Sequence, residues 1–286
     1  MKHRILNLTL FFAILLTSQL FSKEAPKRII SLAPNITEII YKIDAGDLLI
    51  GRTDYCLFPK AVESVKTVGG YLNPDFEKMV ALKPDIVFLL PNGDLERKLN
   101  RLGLKTFTLP DETIEEILMS TEALGRVLGR PGKAGVLVQG IQDTLDWVKN
   151  NSTGRYPMSA LLVVGREAGS LKSIYAAGQE TYLSELLELA GGQNVYDDVT
   201  PRYFDVSKED LIRRNPDTIL EFRIIDPKKA HAEVPQLIED WQTLSTLKAV
   251  RYENIHIFTE RYFIIPGPRI AQIAMVLFDV FQQAAE

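Results

Sequence analysis

Eight aromatic side chains sit where a ligand crevice would need them. Tyr55, Phe58, Tyr71, Tyr175, Tyr203, Phe204, Tyr262 and Phe263 lie in or beside segments predicted as loops after β-strands. In open α/β sheets the loops at strand C-termini line the ligand crevice. Arg52, Arg166, Arg202 and Arg261 are within reach of the same place. The chemistry implied is non-covalent capture in an aromatic-walled cleft with a few cations. Each aromatic also has a plainer reading as the anchor of its own loop, since ligand pockets and cores both favour aromatics.

Two glutamates form a second pattern. F-E-K-M-V-A-L-K-P-D-I-V runs from Phe76 to Val87, and K-E-D-L-I-R-R-N-P-D-T-I runs from Lys208 to Ile219. In each, a Glu (Glu77, Glu209) precedes a Pro-Asp pair by seven residues, and an aliphatic residue follows two positions after the Asp. A carboxylate in a helix's first turn is favoured by the helix dipole, by about 0.3–1 kcal/mol. Matched placement in two halves of the chain makes a paired external contact credible as well.

Other chemistries find no residues. Gly132-Lys133 lies in a glycine-rich stretch, but Ala134 stands where a phosphate-binding loop needs Ser or Thr, and Val127 where it needs its first glycine. No G-x-S-x-G elbow occurs, and no pair of carboxylates is marked out as catalytic. Cys56 is the only cysteine, and the histidines are His3, His231 and His256, so no intrachain disulfide and no Cys- or His-rich metal site is expected. His256 alternates with Ile255 and Ile257 in a strand and reads as structural. The net charge of −4 gives no basic footprint for nucleic acid. No catalytic residue, metal ligand or resident cofactor is assigned.

The elements that must position these residues are organised around Pro131 to Asn150. Ala134, Val138, Ile141, Leu145 and Val148 recur at spacings of four and three, the period of one face of a helix. Pro131 suits a first turn, and N-N-S-T-G (150–154) is a stop signal. About 20 residues give a rod of roughly 30 Å. Before it, strands over 28–32, 48–50, 85–90 and 105–109 alternate with helices over 36–43, 75–82, 94–102 and 113–128. After it come strands over 160–164, 174–177, 218–222 and 255–258, with helices over 181–190, 207–214 and 268–284. Ser207 and Asp210 are spaced as a capping box. Strand–helix alternation implies mainly parallel sheets flanked by helices. The expected architecture is α/β: two Rossmann-like lobes, 23–128 and 153–286, joined by one long rigid helix over 129–152, with a ligand cleft between the lobes. The length of 286 residues accommodates this.

Residues 1–22 read as a secretory signal, with Lys2 and Arg4 ahead of the apolar run Ile5–Leu16 and with Ser18 and Ser22 as candidate cleavage positions. No cysteine lies near them, so the expected product is a periplasmic chain without a lipid anchor.

Taken together, an exported chain, twin lobes, a single connecting helix, V-A-L-K-P-D in the first lobe and a Pro-Asp strand in the second resemble the helical-backbone periplasmic binding proteins. These are the substrate-binding components of ABC importers for vitamin B12, haem and iron-siderophores. The resemblance covers nearly all of residues 27–286, beginning with R-I-I-S-L-A-P-N-I-T-E, and is nearest to the members that bind vitamin B12. It implies that Tyr55 and Tyr71 contact a corrinoid ligand. It implies the same for the second-lobe segment Arg261, Tyr262, Phe263, Ile264 and Ile265, which precedes P-G-P-R-I. The corrinoid binders carry an acidic residue, Trp-Phe and a charged pair in that segment, so their polar contacts are absent at Ile264 and Ile265. Arg166, Arg202 and Arg261 keep an iron-siderophore open, and haem would suit a tyrosine ligand. The resemblance further implies that Glu77 and Glu209 dock on arginines of a permease dimer served by ATPase subunits, and that the chain is a monomer. An exported two-lobed enzyme and a receptor domain feeding a sensor are the competing readings.

Overall fold

Ile29, Ile30 and Ser31 are all buried, with no alternation of inner and outer faces. That is the mark of a strand covered on both sides by helices. In the computed structural model, which describes residues 25–152 and 157–283, this strand (β1, Ile29–Ser31) begins the first lobe. The proposed leader, residues 1–22, lies outside the described residues, as does part of the 150–154 stop signal.

After β1 come α1 (Pro34–Lys42), β2 (Leu49–Arg52), α2 (Phe76–Ala81), β3 (Ile86–Leu89), α3 (Gly93–Arg101) and β4 (Thr106–Thr108). The sheet is wholly parallel, in the order β2-β1-β3-β4. Ile29 and Phe88 face a core with Ile36, Ile40, Leu124 and Leu128. Ile30, Val87 and Leu89 face the other, with Met79, Leu95 and Leu99. The chain leaves β1 toward β2 and then returns past β1 to β3. The topological switch point therefore lies between β1 and β3, and a crevice is expected outside their C-terminal ends.

Two helices carry the chain across. α4 (Ile114–Val127) starts with a full capping box, Thr113 with Glu116. α5 (Pro131–Asn151) buries Ala134, Val138, Ile141, Leu145 and Val148, the stripe expected from spacing. Ala134 belongs to the first lobe's core. Ile141, Leu145 and Val148 belong to the second's. The rod is thus anchored in both lobes by one continuous face. Among the described residues no helix is long and apolar enough to cross a membrane.

The second lobe comprises β5 (Met158–Arg166), β6 (Ile174–Ala177), α6 (Tyr182–Leu189), β7 (Gly192–Asn194), β8 (Tyr203–Val206), α7 (Lys208–Arg214), β9 (Thr218–Phe222), α8 (Pro227–Trp241), α9 (Lys248–Arg251), β10 (Ile255–Phe258) and α10 (Ile270–Gln283). Its sheet runs β10-β9-β5-β6-β8, with β7 beside the first half of β5. β10, β9 and β5 are parallel, whereas β6 and β8 join antiparallel. Tyr175, Tyr203 and Phe204 therefore lie in strands of this antiparallel extension, not in crevice loops. Tyr175 stacks on Tyr203 with centroids 6.3 Å apart, and Phe204 packs on Tyr196 at 5.2 Å.

The repeated phrase folds the same way twice. Asp75 caps α2 and Ser207 caps α7, each accepting from the backbone N–H three residues on. The reciprocal half of the Ser207–Asp210 capping box is not made, because the Asp210 carboxylate turns to Arg213 and Arg214. The residues before proline, Lys83 and Asn215, both adopt a left-handed conformation with φ of 48°. Asp85 then accepts from the backbone N–H groups of Lys27 and Arg28, at 2.9 Å each, next to β1. Asp217 accepts from the N–H and Oγ of Ser159 at 3.1 and 2.7 Å, in β5. In each lobe the Pro-Asp pair clamps the start of one parallel strand to its neighbour.

Candidate ligand-binding crevice

The C-terminal ends of the parallel strands in both sheets open onto one crevice. Its larger compartment, about 710 Å³, is walled by Pro34, Tyr55, Leu57 and Phe58 from the first lobe and by Ile224–Pro227, Thr259–Tyr262 and Ile265 from the second. A smaller compartment of about 240 Å³ adds Leu32, Ala33, Thr53, Tyr71, Leu90 and Ile264. Tyr55, Arg261 and Ile265 border both. The wall segments follow β1, β2, β3, β9 and β10, as the switch-point rule requires.

Tyr55, Leu57 and Phe58 are 59%, 46% and 43% exposed. Three large apolar side chains left in solvent at one lip form the kind of patch that marks a binding surface. On the facing wall a 3-10 turn, Arg261–Ile264, sorts its side chains by direction. Phe263 turns inward and is 1% exposed, packed on Phe222 and Phe258 with centroids 5.8 and 4.6 Å away. Its carbonyl accepts from the Tyr182 hydroxyl at 2.9 Å. Arg261, Tyr262 and Ile264 are left facing the crevice.

The structure brings together Tyr55, Tyr71, Arg261, Tyr262, Ile264 and Ile265. It places four further expected residues, Phe263, Arg166, Arg202 and Arg52, elsewhere. Phe263 is a core anchor for the turn that carries its neighbours. Arg166 is enclosed in the second lobe. Its Nε donates to Glu221 at 2.9 Å, one Nη to Asp240 at 2.7 Å and the other to the Leu237 carbonyl at 2.8 Å. Three satisfied partners with no side-chain exposure leave nothing for a ligand. Arg202 folds back on the turn before α6, donating to the Glu180 carbonyl at 2.9 Å and lying 3.6 Å from its carboxylate. Arg52 is likewise spent, on the carbonyls of Val62 and Thr53.

Arg261 is different, since its guanidinium has no hydrogen-bond or ion-pair partner among the described residues and borders both compartments. Burial holds the Tyr71 phenol above its usual range. Burial and then Glu260 do the same to Tyr262. In the unliganded protein both phenols are therefore neutral hydrogen-bonding groups at neutral pH. Among the described residues the crevice offers flat apolar faces, the phenols of Tyr55, Tyr71 and Tyr262, the Asp226 and Glu260 carboxylates and the unpaired Arg261 guanidinium.

Sequence reasoning missed Pro34, Leu57, Ile224 to Pro227, and the pair Glu38 and Arg269, all crevice residues. α8 was missed with them, although Asp226-Pro227 is a legible helix start: Asp226 caps the Lys228 N–H at 3.0 Å and Pro227 is the first helical residue.

Glu77 and Glu209 stand apart from the crevice. Each is the second residue of a side-chain-capped helix, α2 or α7, and each is exposed. Neither carboxylate has an ion-pair partner among the described residues. The lobes thus present two equivalent, unpaired carboxylates to solvent.

A family model described as periplasmic binding protein matches residues 29–262. An uncharacterized ABC transporter substrate-binding lipoprotein of Bacillus subtilis strain 168, YvrC, is 28% identical over 258 residues, 87% of this chain and 78% of that one. A vitamin B12-binding protein of Vibrio parahaemolyticus is 28% identical over 222 residues, 76% of this chain and 78% of that one. The crystal structure of a possible iron-binding (periplasmic solute-binding) protein from Staphylococcus epidermidis aligns with a TM-score of 0.76 at 26% identity, over 90% of this chain and 99% of that one.

Proposed function

Because this chain belongs to the periplasmic binding protein family, matched over residues 29–262, we propose that it is the substrate-binding component of an ABC importer that captures a corrinoid between its lobes and delivers it to a membrane permease. The observation that carries the proposal is the crevice itself, with Tyr55 and Tyr262 on opposite lobes and mainly apolar walls between them. A broad macrocycle buries much apolar area against such walls, at about 25 cal/mol per Å². The similarity to a vitamin B12-binding protein supports the same ligand class. We assign ligand contact to Tyr55, Tyr71, Arg261, Tyr262, Ile264 and Ile265, and permease docking to Glu77 and Glu209.

A second ligand class has one observation in its favour. The unpaired Arg261 guanidinium would donate to oxygen acceptors, the carboxylates of haem or the hydroxamate oxygens of a ferric siderophore, which favours either of these chelates. The test is titration of the purified mature chain with cyanocobalamin, haemin and ferrichrome, read by absorbance and calorimetry. Saturable binding of cyanocobalamin alone is the expected result, and binding of only haemin or ferrichrome replaces the corrinoid. Failure of all three removes the proposed ligand classes.

The proposal includes export with removal of residues 1–22, a first lobe over 23–128, the connecting helix over 129–152 and a second lobe over 153–286. Cell fractionation checks the location. The mature chain should appear in the periplasmic fraction, and retention in the membrane would contradict this.

A further inference from the structure

Two phrases far apart in the sequence, N-I-T-E (35–38) and P-G-P-R (266–269), meet across the lobes. Glu38 lies on α1 in the first lobe, and Arg269 immediately precedes α10 in the second. The Arg269 Nε donates to one Glu38 carboxylate oxygen at 2.8 Å, and an Nη donates to the other at 2.6 Å. This is a two-pronged, charge-assisted contact, the strongest geometry available to such a pair. It is enclosed, with side-chain exposures of 2% for Glu38 and 15% for Arg269.

Three further observations point to the same seam. The Arg269 guanidinium lies over the Phe58 ring at 4.4 Å, on the first lobe, and over the Tyr262 ring at 5.1 Å, on the second. The backbones approach closely at Gly267, where a Cβ would lie 3.1 Å from the Cβ and 3.2 Å from the Cα of Asn35, tighter than ordinary van der Waals contact. Asn35 is fixed from behind by a 2.8 Å hydrogen bond to Asp111. Backbone approach at Gly267 and the charged fork at Arg269 therefore act two and four residues from the crevice segment that ends at Ile265.

We propose that N-I-T-E and P-G-P-R form a fixed interlobe seam, in which Arg269, held by Glu38, positions the Phe58 and Tyr262 rings on opposite walls of the crevice. Arg269 is a positioning residue. It sets the resting separation of the two walls before any ligand arrives and keeps the rings in a ready geometry. The inference rests on the crevice being the ligand site. Its structural half is nevertheless testable without ligand.

The experiment places spin labels on cysteines introduced at the exposed Lys60 and Lys229, one per lobe, with Cys56 buried and unlabelled. Interlobe distances are measured in the otherwise unaltered chain, in Glu38→Gln, in Arg269→Lys, and in the double variant Glu38→Gln with Arg269→Met, which leaves no buried charge unpaired. Without ligand, the unaltered chain should give one narrow distance distribution, and Arg269→Lys and the double variant clearly broader ones. Glu38→Gln, which retains one acceptor of the fork, should fall between. Affinity for whichever of cyanocobalamin, haemin or ferrichrome the unaltered chain binds should drop tenfold or more in Arg269→Lys. Should that variant fail to fold, the double variant carries both measurements. Unchanged distances in the broken-fork variants overturn the seam. Broadened distances with unchanged probe affinity overturn the positioning role. If no probe binds the unaltered chain, the ligand assignment fails, and the distance measurement alone decides the seam.

Discussion

Tyr262 and Phe263 are adjacent, and the structure gives them opposite tasks. Tyr262 faces the crevice, whereas Phe263 is buried against Phe222 and Phe258. Tyr262→Ala should weaken ligand binding by about 1–3 kcal/mol, the worth of an aromatic contact with a desolvated partner, and lower the melting temperature less than Phe263→Ala does. Phe263→Ala should instead cost about 3–5 kcal/mol of stability through the cavity it leaves. Calorimetric titration and thermal melts on both variants separate the roles, and a stable Phe263→Ala with lost affinity would reverse them. Asp111 gives a second residue-level expectation. Burial first, then Glu112 and Glu116, raise its carboxyl to about 7, against a lowering contribution from Asn35. The folded state therefore holds a proton that the unfolded chain has released over roughly pH 4 to 7. Stability from this group is present below the lower limit and is lost as pH rises through the upper one. The melting temperature should fall from pH 5 to pH 8. Asp111→Asn, which preserves an acceptor for Asn35, should flatten that slope and melt higher than the unaltered chain at pH 8. An unchanged slope in the variant would show that other groups govern it.

At the scale of elements, the α4–α5 pair supplies a sharp contrast between two glycines. A Cβ on Gly125 of α4 would stand 2.3 Å from the Cβ of Ala134 of α5, whereas nothing lies within 4 Å of one on Gly135. Gly125→Val should force the helices apart at a cost of about 1–3 kcal/mol. Gly135→Ala should stabilise by about 0.4–1 kcal/mol, by reducing the freedom of the unfolded chain and improving helix propensity. Denaturant midpoints measure both, and a neutral Gly125→Val would mean that the helix contact is slack. The buried stripe of α5 was legible in the sequence because a 3.6-residue period survives three exposed glycines. The Pro-Asp repeats were legible because helix stops and strand starts are written in local residue types. The pairing of β6 with β8 was not, since Tyr203 and Phe204 follow a Thr-Pro-Arg turn that reads as loop until β6 is seen to pair with them. Arg166 was misplaced for a related reason. A cation after a strand C-terminus looks available, and only the fold brings Glu221 and Asp240 to it. The crevice's location could be read from the loops that follow the strands, but the sorting of Arg261 to Ile265 into inward and outward side chains depends on a 3-10 turn that periodicity does not encode.

For the whole molecule, α5 is anchored in both cores and the Glu38–Arg269 contact spans the lobes. Large hinge motion is therefore disfavoured, and small-angle scattering should show almost no change in radius of gyration on ligand addition. A marked decrease would contradict a rigid connection. The outer surface carries the last expectation. Glu77 and Glu209 are exposed second residues of α2 and α7, whose caps, left-handed stops and Pro-Asp clamps match lobe for lobe. A permease dimer has two-fold symmetry, so a two-lobed partner can meet it with one carboxylate per half. Each carboxylate can engage an arginine fork. The Glu77→Ala, Glu209→Ala double variant should fold and bind ligand normally, because each glutamate contributes to its own helix only a dipole interaction of about 0.3–1 kcal/mol. Its uptake in cells, and its complex formation with the cognate permease, should fall sharply. Either single variant should lose less, since the other lobe remains anchored. Raised salt should weaken docking of the unaltered chain in the same direction, because both contacts begin between exposed charges. Uptake by the double variant at the unaltered rate would reduce the two glutamates to ordinary helix-start residues and move the docking surface elsewhere on the lobes.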